Sequence, residues 1–128
     1  MAWNLKNPIL NADSYKLSHF YQLAPGTKQI VAYGGARKAN TRHGEPINKC
    51  ILFSLQGTIK EYLTTPITKA DIDEAADFAS RHGEPFSRDD WEIILNEYDG
   101  YLPLCIRAVP EGLPVNVGVP MYIVENTD

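Results

Sequence analysis

Four consecutive residues, Asp13-Ser14-Tyr15-Lys16, bring a carboxylate, a hydroxyl, an aromatic ring and an ammonium group together near the start of the chain. Such a set could hold a flat aromatic amide, with the Tyr15 ring stacked on it and the Asp13 carboxylate accepting from an amide N–H. The same residues have a plainer use: Asp13 caps a helix and Tyr15 packs as its first apolar anchor. His19 falls one helical turn after Tyr15 on the same face, and a lone helical histidine has an ordinary structural part to play. A second candidate is Gly34-Gly35-Ala36-Arg37, directly after an apolar run. Glycines let backbone N–H groups approach a phosphate, and the Arg37 guanidinium can fork onto phosphate oxygens. The spacing fits neither a Walker loop nor a dinucleotide fingerprint, and paired glycines at a strand end also mark a bulge or turn.

No other group of residues suggests chemistry. Asp71, Asp73, Glu74, Asp77, Asp89, Asp90 and Glu92 fall on helix faces turned away from the apolar stripes and read as a solvated surface. Cys50 and Cys105 each sit inside an apolar run, as buried reduced thiols of a cytosolic protein do. Spaced Cys/His pairs for zinc are missing, as is any Ser/His/Asp or Cys/His arrangement. The sequence therefore offers neither catalytic residues nor metal ligands.

The elements that must position these residues follow from periodicity. Residues 11–23 read as a short helix with Leu17, Phe20, Tyr21 and Leu23 on one side, ended by Ala24-Pro25-Gly26. Residues 28–33 read as a strand running into Gly34-Gly35, and the polar stretch 38–49 as a mobile loop. Helical spacing predicts a buried helix over 51–63, despite Gly57. Thr68 with Asp71 opens the next helix as a capping box; Ile72, Ala75, Ala76 and Ala79 form its inner stripe and Gly83 closes it. Ser87 with Asp90 repeats that opening, with Trp91, Ile94, Leu95 and Tyr98 as the stripe and Gly100 as the close. Strands are expected over 104–109 and 121–124, around a tight turn at Pro110-Glu111-Gly112. This order implies an α+β fold, a single small domain over 1–128 with a mixed or antiparallel sheet and about four helices.

At 128 residues the chain has the size of one ordinary domain. Twelve Lys and Arg against sixteen Asp and Glu give a net charge of −4, without the basic field a nucleic-acid partner requires. No apolar run approaches the roughly 20 residues that span a bilayer, and the first residues lack the apolar segment of a signal peptide. A cytoplasmic protein with no membrane partner is expected. The sequence stops just after a strand, on Glu125-Asn126-Thr127-Asp128, where a further helix or loop is expected to begin; it has the look of a domain cut from something larger.

Several stretches, taken in order, resemble the N-terminal domain of the nicotinamide phosphoribosyltransferase family. They are Asp13-Ser14-Tyr15-Lys16 with His19, residues 33–37, Leu55-Gln56, and Glu97-Tyr98-Asp99-Gly100-Tyr101-Leu102-Pro103. Ala108-Val109-Pro110-Glu111-Gly112 and Val124-Glu125-Asn126-Thr127-Asp128 complete the set, so the resemblance covers essentially the whole chain. It implies the N-terminal domain of a type II phosphoribosyltransferase. That family makes nicotinamide mononucleotide and pyrophosphate from nicotinamide and phosphoribosyl pyrophosphate, as a head-to-tail homodimer whose subunits share each active site. By resemblance Tyr15 would stack on the pyridine ring, Asp13 would lie beside the carboxamide, and Arg37 would reach phosphate oxygens across the interface. No catalytic role is carried onto His19. Gly34-Gly35 depart from the bulkier residues of the family pattern, which would loosen Arg37.

The same resemblance implies a barrel beyond this chain, holding phosphoribosyl pyrophosphate, its magnesium ion and the second stacking aromatic. Stabilising the leaving pyrophosphate needs a metal and preorganised donors, so the chain alone is expected to be inactive and to need a homo-oligomer or a C-terminal barrel half. Two other readings stay open: a non-catalytic interaction module that modulates a full-length enzyme, and a domain of a nicotinate phosphoribosyltransferase. A carboxylate at position 13 favours an amide substrate over an acid, because like charges repel.

Overall fold

The computed structural model describes residues 6–38, 40–42 and 44–128. They form an α+β fold with four helical segments and seven strands among the described residues, every strand pairing antiparallel. The chain divides into two compact units. One comprises the N-terminal residues up to Thr27 with Gly57–Leu102; the other comprises Lys28–Gln56 with Pro103–Asp128.

The first unit is helical. Helix α2, Lys69–His82, begins with the expected capping box: Asp71 N–H donates to the Thr68 hydroxyl at 3.3 Å, and Thr68 N–H donates to the Asp71 carboxylate at 2.9 Å. Gly83 closes it at φ +79°, a left-handed conformation that costs glycine little. Ile72, Ala75 and Ala79 are fully buried. Ile9, Ile67, Ile72 and Ala75 form the core, with Leu17, Phe86, Trp91, Ile94 and Leu95 packed around it. Helix α3, Arg88–Glu97, presents Trp91, Ile94 and Leu95 to that core as its spacing predicts. Its capping box does not form, because the Ser87 side chain bonds to no backbone N–H of the first turn. An ion pair joins the two helices instead, Arg88 donating to Asp73 at 2.7 Å.

The segment predicted as a helix over 11–23 is a 3-10 helix, Ser14–Gln22. With three residues per turn, Leu17 and Phe20 share a face and are half-buried, whereas Tyr21 turns outward at 68% exposure. Leu23 lies past the helix end in extended backbone and is also exposed. Asn7 is the buried polar residue of this unit among the described residues. Its amide donates to the Asp71 carbonyl at 2.9 Å and to the Glu74 carboxylate at 3.0 Å, while its oxygen accepts from Ile9 N–H at 3.1 Å. All its main capacity is used, which is how a buried amide avoids its desolvation cost.

The second unit holds the sheets. Strands β1 (Val31–Gly34), β7 (Tyr122–Asn126) and β5 (Leu104–Ala108) form one sheet in the order β1-β7-β5. β7 runs past Val124 through Glu125 and Asn126, since both neighbours pair with it there: Val31 and Cys105 stand opposite Glu125. Arg107 and Glu125 share a face and bond at 2.7 Å. The stretch expected as a mobile loop over 38–49 contains a hairpin, β2 (Asn40–Arg42) with β3 (Glu45–Ile47), turned at Gly44 with φ +84°. The helix predicted over 51–63 starts late. Lys49–Ile51 is strand β4, recruited by β6 (Pro114–Asn116), and helix α1 covers only Leu55–Thr58 before a π turn at Ile59–Leu63. The cause lies elsewhere in the chain: the Glu111 carboxylate accepts from Ser54 N–H at 3.1 Å and Gln56 N–H at 2.8 Å, which sets the helix start after Ser54. Cys50 and Cys105 are free thiols, half-buried rather than buried, because β4 and β5 each leave a side open.

Candidate functional site

The sequence candidates fall on two platforms. Asp13 and Tyr15 belong to the first unit and Arg37 to the second.

Asp13 stands just before the 3-10 helix with extended backbone, φ −61° and ψ 136°, and its carbonyl accepts from Lys16 N–H at 2.8 Å. Its carboxylate does not cap the helix. Oδ2 accepts instead from the Tyr15 hydroxyl at 3.0 Å, which ties the ring to the residue two before it. Oδ1 retains lone pairs for a further N–H. The Tyr15 ring is 53% exposed, so a flat ligand can reach its face. His19 lies beside it, ring centroids 5.7 Å apart and tilted by 49°, and the Lys16 ammonium sits 5.2 Å from its centroid. The Tyr15 phenol is held above its ordinary pKa, first by its bond to the Asp13 carboxylate and then by that group's charge. Tyr15 therefore stays neutral, keeps its hydroxyl proton while donating it in the hydrogen bond to Asp13, and offers an uncharged π face.

Arg37 leaves the end of β1 on a backbone pinned on both sides. Met121 N–H donates to the Gly34 carbonyl and Gly118 N–H to the Ala36 carbonyl, each at 2.8 Å. The two glycines have separate steric reasons. A Cβ on Gly34 would fall within the Tyr122 ring that covers it, and one on Gly35 would stand 2.7 Å from the Val119 carbonyl oxygen. The pair thus seats the segment against the 118–121 turn. The result is a cleft of about 210 Å³ bordered by Tyr33, Gly35, Arg37, Gly118, Val119 and Pro120. The Arg37 guanidinium is exposed and makes no ion pair among the described residues, which leaves its donor fork open to an anion.

Comparison with known proteins shows the family of the chain. The family profile described as nicotinamide phosphoribosyltransferase, N-terminal domain, matches residues 7–106. The chain belongs to that family. It is 40% identical to a nicotinamide phosphoribosyltransferase of Xanthomonas campestris pv. campestris over 124 residues, 97% of this chain and 25% of the relative. An Acinetobacter baylyi protein of the same name is 32% identical over 133 residues, 94% of this chain and 26% of the relative. The chain spans about a quarter of the length of these nicotinamide phosphoribosyltransferases.

Magnesium is the metal the resemblance implies. Among the described residues no three His, Cys, Asp or Glu side chains stand close enough together to hold an ion. No helix among the described residues is long and apolar enough to cross a membrane.

Two residues with organising roles carried no signal by type or spacing. Glu111 fixes the start of α1, as described. Asn126 accepts from Ile30 N–H at 2.7 Å and donates to the Lys28 carbonyl at 2.9 Å, so it threads the approach to β1, the strand that ends at the Arg37 platform. Both lie in stretches that carried the resemblance, Pro110-Glu111-Gly112 and Val124-Glu125-Asn126, and both act on backbone more than fifty residues away in sequence.

Proposed function

We propose that this chain supplies the N-terminal part of a cytoplasmic nicotinamide phosphoribosyltransferase, which joins nicotinamide to phosphoribosyl pyrophosphate and releases pyrophosphate in a salvage route to NAD. The observation that carries the reading is the exposed, neutral Tyr15 ring fixed to the Asp13 carboxylate, within a chain matching the family profile from residue 7 to 106. Tyr15 stacks on the pyridine ring. Asp13 accepts an N–H of the carboxamide with the oxygen that Tyr15 leaves open. Arg37 forks onto phosphate oxygens of the second substrate.

The reaction develops positive charge at the ribose carbon and negative charge on the leaving pyrophosphate. One arginine covers a small part of that need. The site is completed across a homodimer boundary or by a C-terminal barrel half, and the magnesium that accompanies phosphoribosyl pyrophosphate belongs to the completed enzyme. The isolated chain is then inactive. The test is a tagged pull-down from the native host, with the eluate and the purified chain each assayed for nicotinamide mononucleotide. Activity in the eluate alone supports the reading. Turnover by the pure chain overturns its inactivity, and silence in both, with the chain folded, sinks the enzymatic assignment.

A further inference from the structure

The first unit contains a cleft that the proposed function does not use. It measures about 340 Å³, within the size range of small-molecule sites, and lies between the residues before the 3-10 helix, that helix itself and the N-terminus of α3. Ile9, Leu17, Phe20 and Trp91 form its apolar walls, and Ser87 and Asp90 stand at its edge. The two polar residues are the ones whose spacing predicts a capping box. In the structure the Ser87 side chain makes no capping bond, and the Asp90 carboxylate has no ion-pair partner among the described residues. A half-buried hydroxyl and an exposed carboxylate, neither paired with a charged group among the described residues, therefore border an aromatic-walled space. Lys16 borders it too, but its ammonium sits by the Tyr15 ring, leaving its stem to the cleft.

We propose that this cleft binds a single aromatic ring bearing N–H donors, an aryl amidine or carboxamide, with the ring between Trp91 and Phe20 and its donors on Asp90 and Ser87. The walls supply area and the aromatic faces favour a flat ligand. The unpaired carboxylate sets the sign, favouring a donor or a cation over an anion. The site is distinct from the Tyr15 face, and its test separates the two.

The experiment is ligand-observed NMR on the full chain with three probes of one shape: benzamidine, benzamide and benzoate. Binding is expected in that order, with benzoate weakest. D90N is expected to weaken benzamidine by about tenfold, the usual loss when a charge-assisted hydrogen bond is removed, and to bring it close to benzamide. Ala12 lines the cleft and is exposed, so A12F fills it without entering the core and should abolish binding of all three. Y15A removes the other aromatic face, so probe binding that survives Y15A and is weakened in D90N belongs to this cleft. Equal binding of all three probes, an unaffected D90N, or no saturable binding to the folded chain would each overturn the proposal. Loss of binding in Y15A with D90N unaffected would place the probes at the other site and overturn it as well.

Discussion

At position 15 the tyrosine hydroxyl is committed to a carboxylate two residues away, and this has a measurable consequence. The phenol's folded pKa lies above its unfolded value, so the bond contributes stability below the ordinary tyrosine pKa and loses it as pH rises through the raised folded value. D13N removes the charge, and Tyr15 in that variant should ionise at lower pH than in the parent, as read from its NMR titration. An unchanged midpoint would mean the contact does not persist in solution. In the completed enzyme the same substitution should narrow the preference for nicotinamide over nicotinate, measured as the ratio of kcat/KM values, because an Asn side chain no longer repels the acid. Asp13, Tyr15 and Arg37 could be named as candidates from the sequence because the chemistry proposed for each is written in its own residue type. Glu111 and Asn126 were not, since their importance comes from backbone donors and acceptors that only the fold brings to them.

Helices α2 and α3 carry the same written start signal and use it differently. Thr68 and Asp71 bond reciprocally, whereas Ser87 makes no cap bond. T68A should therefore cost about 1 kcal/mol in urea unfolding, the typical loss of a working cap. S87A should stay within about 0.5 kcal/mol, as surface changes away from such features do. Equal losses would show that the sequence pattern, and not the observed bond, governs stability. The link between the helices has its own pH signature. Arg88 holds the Asp73 carboxyl below its ordinary pKa by a direct hydrogen bond, so this stabilisation is present above the ordinary value and lost as pH falls through the lowered one. D73N should flatten that acid-side loss in an unfolding series. Both α-helices of the first unit were legible because their apolar stripes repeat at 3.6 residues and face one core. The 11–23 segment was legible as helical but not as 3-10, because Leu17 and Phe20 satisfy either period and only Tyr21 separates them. The 51–63 segment failed differently: its helical spacing is real, yet pairing with β6 claims its start and a distant glutamate moves the first turn.

On the scale of the whole molecule, the α+β class could be read from the order of elements, but the division into a helical and a β unit could not. That division depends on residues 28–56 pairing with 103–128, a separation that no local window spans. The β unit also carries most of the large apolar side chains that remain uncovered among the described residues. Phe53 is 83% exposed, Tyr33 73%, Ile51 55% and Val31 54%, while Leu52 and Val115 are its buried apolar residues among those described. Side chains of this size lose favourable burial when left in water, and several in one small unit favour association. Under the proposed function they meet a second subunit or the proposed barrel half; the relatives are about four times as long as this chain. The isolated chain should therefore self-associate with rising concentration in sedimentation velocity, and a Phe53→Ser, Tyr33→Ser double variant should shift it toward monomer. Both positions are exposed, so the change should leave the helical CD signal intact; Tyr33 also borders the Arg37 cleft, so association, not phosphate affinity, is the quantity to compare. A parent chain that remains monomeric across the range would mean these side chains do not mark a contact surface, and the requirement for a second subunit would then have to rest on the catalytic argument alone.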